Sequence, residues 1–254
     1  MAETLAGLAA DPLFWTLVGV TLLAGLVRGF AGFGSAMLMA PVFASLIGPA
    51  EAVVTVVLVE MLVSVQLFPP ARRLCEWRTI GPMAIAACLA MPAGAWLLRS
   101  ADPRALVVAV SAIVLVFVLV LASGWRYRGR QGPAGAVAVG AVSGAMMATT
   151  SVGGPPVLLY LLAGTSPPEI QRANIIVYYF LTQFLLLAIV AAIRPVGGEV
   201  WIRALVLVIP MLAGSFLGQR LFRQADAMLY RRIALAVLFA AGAFGLARGI
   251  LTSA

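Results

Sequence analysis

Ten blocks of apolar residues run through this chain, with few polar positions inside them. They fall near residues 13–30, 35–47, 50–69, 79–98 and 104–123, then, past the basic link GWRYRGRQGP, near 134–149, 153–164, 170–193, 201–222 and 228–250. Such continuous apolar runs, bounded by proline, glycine or charge, predict buried or membrane-embedded helices and not one-sided surface helices. Most approach the roughly 20 residues that a hydrocarbon core of about 30 Å demands. Two fall short. A run of about 13 residues, as at 35–47 and 153–164, covers only about 20 Å as a helix. Both follow places where glycine and hydroxyl residues break the apolar pattern, RGFAGFGSAM and TTSVGGPP. The pattern predicts half-helices there, each able to pair with the helix before it as a re-entrant hairpin. The fold expected is an all-α polytopic membrane protein of about eight to ten transmembrane segments, broken or re-entrant at its centre.

Composition agrees. The 254 residues are 63% hydrophobic and 10% charged, where soluble domains carry roughly 25% charged residues, and the mean hydropathy is +1.08. The start, MAETLAGLAADPLFW, has two acids and no basic residue before the first apolar run. That is the wrong flank for a cleaved signal peptide, so the first helix is expected to be retained.

The blocks read long, short, long, long, long, twice over, which predicts an internal duplication. An offset of 118 residues pairs Pro49 with Pro167, Glu51 with Glu169 and Pro92 with Pro210, and GAWLLRSAD at 94–102 matches GQRLFRQAD at 218–226 after a six-residue slip. The expected organisation is a first transmembrane repeat at 1–123, a basic link at 124–133 and a second repeat at 134–254. Halves with an odd number of segments lie in opposite orientations, and the arginines test this. Ten of them (Arg72, Arg73, Arg78, Arg126, Arg128, Arg130, Arg220, Arg223, Arg231, Arg232) fall in loops on one side, against five (Arg99, Arg104, Arg194, Arg203, Arg248) on the other. The richer side is expected to be cytoplasmic, with both termini on the far side.

The chain has no histidine and no lysine, which excludes histidine relays, zinc-helix motifs and Schiff-base chemistry. Cys75 and Cys88 form neither a CxxC nor a metal-ligand spacing and read as packing residues. No cofactor and no metal are expected. The net charge of +8 is scattered through short loops, so nucleic acid is not an expected partner. GFAGFG is no dinucleotide fingerprint, since no strand precedes it.

Non-helical backbone costs several kcal/mol per unsatisfied group in lipid, and is tolerated where it is buried in protein or lines a watery cavity. Paired breaks at corresponding places in two inverted halves point to a transporter's central site. Each break precedes a helix, whose N-terminus offers free N–H groups to an anion. Gly32, Gly34 and Ser35 at the first break, and Thr150, Ser151, Gly153 and Gly154 at the second, are therefore candidates to line such a site. The GxxxG pairs Gly25–Gly29, Gly140–Gly144 and Gly214–Gly218 read instead as close helix packing. Arg28 at the first break reads either as a counter-charge to substrate or as an anchor at a helix end. Glu60, deep in VVLVEMLVSVQLF, reads as a proton-coupling or arginine-pairing carboxylate. Gln66 and Ser64 read as helix–helix hydrogen bonds, and Glu51 and Glu169 as dipole caps. In EIQRANIIVYYFLTQF, Arg172 could fork onto a sulfonate or carboxylate or sit at the interface; Asn174 and Tyr178 lie on the same helix, beside Tyr179 and Gln183.

GLVRGFAGFGSAMLMAP and GAVSGAMMATTSVGGPPVLLYLL resemble the sulfite exporter TauE/SafE family, also called the toluene-sulfonate uptake permease family. The likeness spans nearly the whole chain, and its most specific pieces are Gly29–Phe30 with Gly32–Phe33–Gly34, and Ser151 to Pro156. The resemblance implies a bacterial inner-membrane permease for sulfite, sulfonates or related small organic anions, and places Phe33 among the candidate site residues. Expected partners are a small anionic substrate, the lipid bilayer and, as a candidate, a second copy of the chain. The competing readings are a passive anion channel, an intramembrane enzyme and a membrane assembly subunit. The enzyme reading lacks any nucleophile–base pair, so no enzymatic activity is expected.

Overall fold

The computed structural model describes residues 7, 10–31, 34–124, 132–163, 166–193, 197–222 and 227–251. Gly32, Phe33 and most of the 124–133 link lie outside the described residues. Every described element longer than a turn is a helix: α1 (Pro12–Ala31), α2 (Ser35–Ile47), α3 (Pro49–Leu74), α4 (Trp77–Ser100), α5 (Pro103–Ala122), α6 (Pro133–Thr150), α7 (Gly154–Leu162), α8 (Pro168–Ile193), α9 (Gly198–Phe222) and α10 (Ala227–Leu251). Proline opens five of them, where its missing N–H would have no helical partner anyway. Asp102 caps α5 by accepting the Ala105 N–H at 3.0 Å.

Six helices (α1, α4, α5, α6, α8 and α9) are long and apolar enough to cross a membrane, and α3 is a seventh if its bent halves form one span. The chain is a multi-pass membrane protein. Leu89, Ile209, Trp96 and Ile85 are all more than 60% exposed on these helices, a placement that suits lipid and would be costly in water.

The short segments behave as their lengths require. At 1.5 Å per residue, the 9 residues of α7 cover about 14 Å, well short of a crossing. The Tyr160 hydroxyl in α7 donates to the Gly132 carbonyl at the start of α6, 3.0 Å away, so α7 runs back along its predecessor. Helix α2 begins beside Leu238, midway along α10, and reaches Gly245 at Pro41. Both short helices therefore start inside the bundle.

The longest helix contacts join the first half of the chain to the second: α4 with α6, α1 with α9, α3 with α8 and α5 with α10. Their directions differ in a regular way. Helices α4 and α6 run parallel, Met83 against Gly140 and Ala87 against Gly144; so do α1 and α9, Gly25 against Met211 and Gly29 against Ser215. Helices α3 and α8 run antiparallel, with Ser64 bonded to Gln183 and Phe68 stacked on Phe180. Helices α5 and α10 are antiparallel too, with Ser111 beside Gly245 and Val107 beside Gly249.

Glycine makes the two parallel contacts possible. A Cβ at Gly29 would lie 2.1 Å from the Ser215 carbonyl oxygen, at Gly144 2.1 Å from that of Ala87, and at Gly214 2.2 Å from that of Leu22. The backbones touch with no room for a methyl group. The expectation that these glycines are packing devices agrees with the structure. Gly214→Val should accordingly lower the melting temperature in detergent by several degrees, since forced overpacking costs about 1–3 kcal/mol. Melting at the wild-type temperature would mean that α1 and α9 are not in backbone contact.

Candidate functional site

Both glycine breaks meet at one small cavity. The first break contributes Gly34, Ser35, Ala36 and Met37, and the second contributes Val152 and Gly154. Arg28, Glu60, Leu158 and Tyr179 complete its wall. It has room for about one water molecule.

The polar groups are arranged around Arg28, which is 97% buried near the end of α1. Its guanidinium donates to the Glu60 carboxylate of α3, to Ser35 Oγ at 3.3 Å and to Ser64 Oγ at 2.8 Å. Ser64 passes the chain on, donating to Gln183 Oε1 of α8 at 3.0 Å. Two atoms are left over. Arg28 Nε and Glu60 Oε1 are buried and have no hydrogen-bond partner among the described residues. Of the two sequence readings of Arg28, the anchor at a lipid-facing helix end does not fit a side chain enclosed by four helices.

The helix starts explain why the breaks matter. Gly34 adopts φ +98°, a left-handed angle that favours glycine, and thereby turns the chain into α2. No side chain caps the first turn of α2, and its first three residues all line the cavity. Their N–H groups lack a helical acceptor by geometry, so they present donors and the positive end of the dipole to whatever sits there. The first turn of α7 is poorer in donors, because Pro155 and Pro156 carry no N–H. Both helix starts line the one cavity, and α2 presents more N–H groups to it.

Several other candidates serve the walls. Tyr178 lies behind the cavity and donates to Ser143 Oγ at 2.8 Å, while Ser143 donates to the Gly153 carbonyl. Thr150 and Ser151 direct their hydroxyls to backbone carbonyls of their own turn, at Met146 and Thr150; Ser151 is the single described non-glycine residue with positive φ. A Cβ at Gly153 would fall 2.7 Å from both Met147 Cβ and the Ser143 carbonyl, which makes Gly153 a packing position. Asn174 is buried near the start of α8, gripping the Glu76 N–H and carboxylate, each at 2.8 Å. Arg172 is exposed and takes no part in the cavity wall. Gln66 has its side chain outside the described set.

Sequence reasoning passed over Tyr179 for its neighbour. Tyr179 reaches the cavity so closely that a Cβ on Gly154 would stand 2.2 Å from its hydroxyl oxygen. Both tyrosines sit in the same apolar turn, and only the rotation of α8 against α3 and α6 decides which one faces inward.

The match to known proteins comes from a family model. The model described as sulfite exporter TauE/SafE matches residues 17–245. The chain belongs to this family. No curated protein and no solved structure matches it. Membership makes the chain a membrane permease of the sulfite and sulfonate class and argues against an enzyme. The matched span contains both breaks and every residue of the cavity wall.

The Gly154–Tyr179 contact yields a sharp test. Gly154→Ala should lower stability, because the new methyl group meets the phenol oxygen. Adding Tyr179→Phe should restore it, since the next nearest atoms, Leu158 Cδ1 and Tyr179 Cζ, both stand 3.6 Å off, ordinary contact distance. Melting curves of the two variants check this; a double variant no more stable than Gly154→Ala alone would show that the hydroxyl does not abut Gly154.

Proposed function

We propose that the protein carries sulfite, a sulfonate or a related small organic anion across the bacterial inner membrane by alternating access. The anion is held between the starts of α2 and α7, against Arg28, Ser35 and Tyr179, and Glu60 couples its movement to a proton or ion gradient. The observation that carries this reading is the meeting of both helix breaks and a buried arginine at one cavity. An oxyanion needs several convergent donors in a place shielded from water, and this is where the described residues supply them.

Packing directions support two inverted repeats, 1–123 and 134–254. A two-fold axis in the membrane plane turns the parallel pair α1–α9 into α6–α4. It turns α3 into an antiparallel α8 and α5 into an antiparallel α10, which are the directions observed. Contacts between the halves also lie at equivalent junctions near opposite ends of the bundle. Arg203 of α9 bonds Glu51 at the start of α3 at 2.6 Å. At the other end Ser166 and Asn174, before and on α8, hold Glu76 at the start of α4. Opening one junction while the other stays closed is alternating access in its simplest form. A cavity with room for about one water favours a closed carrier over the alternative, a passive channel.

Counterflow in proteoliposomes separates the two. Vesicles preloaded with unlabelled sulfite or isethionate should take up labelled anion faster than empty vesicles. Equal rates would support a channel, and no uptake of any sulfur oxoanion, sulfonate or carboxylate would remove the permease reading.

We further propose that the 71–78 loop and the 124–133 link are cytoplasmic and both termini periplasmic. The native thiol of the 71–78 loop will not confuse the test. Burial, and then the charge of Glu76, push the Cys75 thiol up to about 12, so at pH 7 its reactive thiolate is scarce and its alkylation should quicken about tenfold per pH unit as pH rises. An impermeant maleimide should label Ser253→Cys in intact spheroplasts but reach Arg128→Cys only after permeabilisation. The reverse pattern overturns the orientation.

A further inference from the structure

The anion site and the Arg28–Glu60 pair claim the same space. Both side chains line the cavity, which has room for little more than one water. The pair leaves Arg28 Nε and Glu60 Oε1 without partners among the described residues, although both residues are at least 97% buried. Buried polar atoms are nearly always bonded, so each unpaired one calls for a reason. An incomplete pair at the one cavity that both breaks reach fits a partner that is exchanged during the working cycle.

We propose that the substrate anion displaces the Glu60 carboxylate from Arg28, and that Glu60 takes up one proton as it is displaced, so that anion and proton occupy the protein together. The proposal rests on the anion site described above and deepens it. The reason is a count of charge. Arg28 and Glu60 together are neutral; adding a monoanion leaves two negative groups and one positive group in a buried place. An unpaired carboxylate cannot be held ionised there at tolerable cost, and it neutralises by binding a proton. The proton comes from the aqueous side to which the site is open, and no covalent bond changes.

No other described group offers to take that proton. Tyr179 of α8 is the third titratable residue on the wall, and a neutral phenol has no use for one. The wall residues from α2, α7 and the second break, Ser35 to Met37, Val152, Gly154 and Leu158, do not titrate. Helix α6 brings Ser143, already bonded to Tyr178. On α9, Arg203 is occupied by Glu51 and Arg220 lies over Phe216, both away from the cavity. On α8, Glu169 and Arg172 sit exposed near its start. Just before α4, Glu76 is held by Asn174.

Methanesulfonate is the probe, because it is a monoanion at all working pH values, whereas sulfite takes up protons itself. Its binding to the purified full chain is followed by calorimetry from pH 6 to 8, in pairs of buffers that differ in ionisation heat. Wild type should take up protons approaching one per anion, and its affinity should weaken by up to about tenfold per pH unit as pH rises. Glu60→Gln mimics the protonated acid. It should bind within about tenfold of wild type at pH 6, with no proton uptake and a flat pH profile, and its melting curve shows whether it is folded. Wild-type binding without proton uptake overturns the exchange while leaving the anion site standing. So does undiminished uptake in a folded Glu60→Gln. Absence of binding by wild type and variant alike overturns the site, and the exchange with it.

Discussion

Arg28 is a charge that the interior of this bundle cannot hold without partners, and the helices around it are arranged to supply them. Its guanidinium reaches α2 through Ser35 and α3 through Glu60 and Ser64, and Ser64 extends the chain to α8 through Gln183. Four helices from both halves of the sequence are thus tied to one side chain. Truncating one partner of such a pair leaves the other charged and buried, which generally costs about 3–5 kcal/mol. The same network keeps the start of α2 beside the arginine, so the positive end of a helix and a positive side chain face one small cavity. They repel each other. Glu60 offsets that repulsion.

The two halves solve the same geometric problem with different chemistry. In the first, Arg28 of α1 joins Ser35 at the start of α2 to Glu60 of α3. In the second, Ser143 of α6 joins the Gly153 carbonyl at the start of α7 to Tyr178 of α8. Under the proposed duplication the offset of 118 sets Glu60 against Tyr178, and the glycine pairs of α1 and α6 set Arg28 against Ser143. One half carries a charged, incomplete junction and the other a neutral, completed one. Pro155 and Pro156 further reduce what α7 can donate.

Much of the fold was legible because hydrocarbon permits so few solutions. All ten apolar blocks became helices within a few residues of their predicted bounds, from 13–30 against Pro12–Ala31 to 228–250 against Ala227–Leu251. The short second block of each half was readable as a half-helix from its length alone. Gly34, Ser35, Arg28 and Glu60, which line the cavity, stood out in the sequence because glycine, hydroxyl and charge are so expensive in such runs that each needs a reason. Tyr178 against Tyr179 was not readable. Adjacent positions on a helix point about 100° apart, and in an all-round apolar helix no pattern says which direction is inward.

Sequence by itself determined that this chain spans a membrane, where its helices begin and end, and which two places break them, since these follow from local composition and the cost of unpaired backbone in lipid. It also held the family likeness, which the model match over 17–245 bears out. Only the tertiary structure decided that the two breaks, 119 residues apart from Gly34 to Gly153, reach the same cavity, that Arg28 belongs to Glu60, and that Asn174 grips Glu76 instead of lining that cavity. Those are matters of how helices rotate and cross. The backbone contacts at Gly29, Gly144 and Gly214 set them to within the radius of a methyl group, a precision that no local pattern encodes.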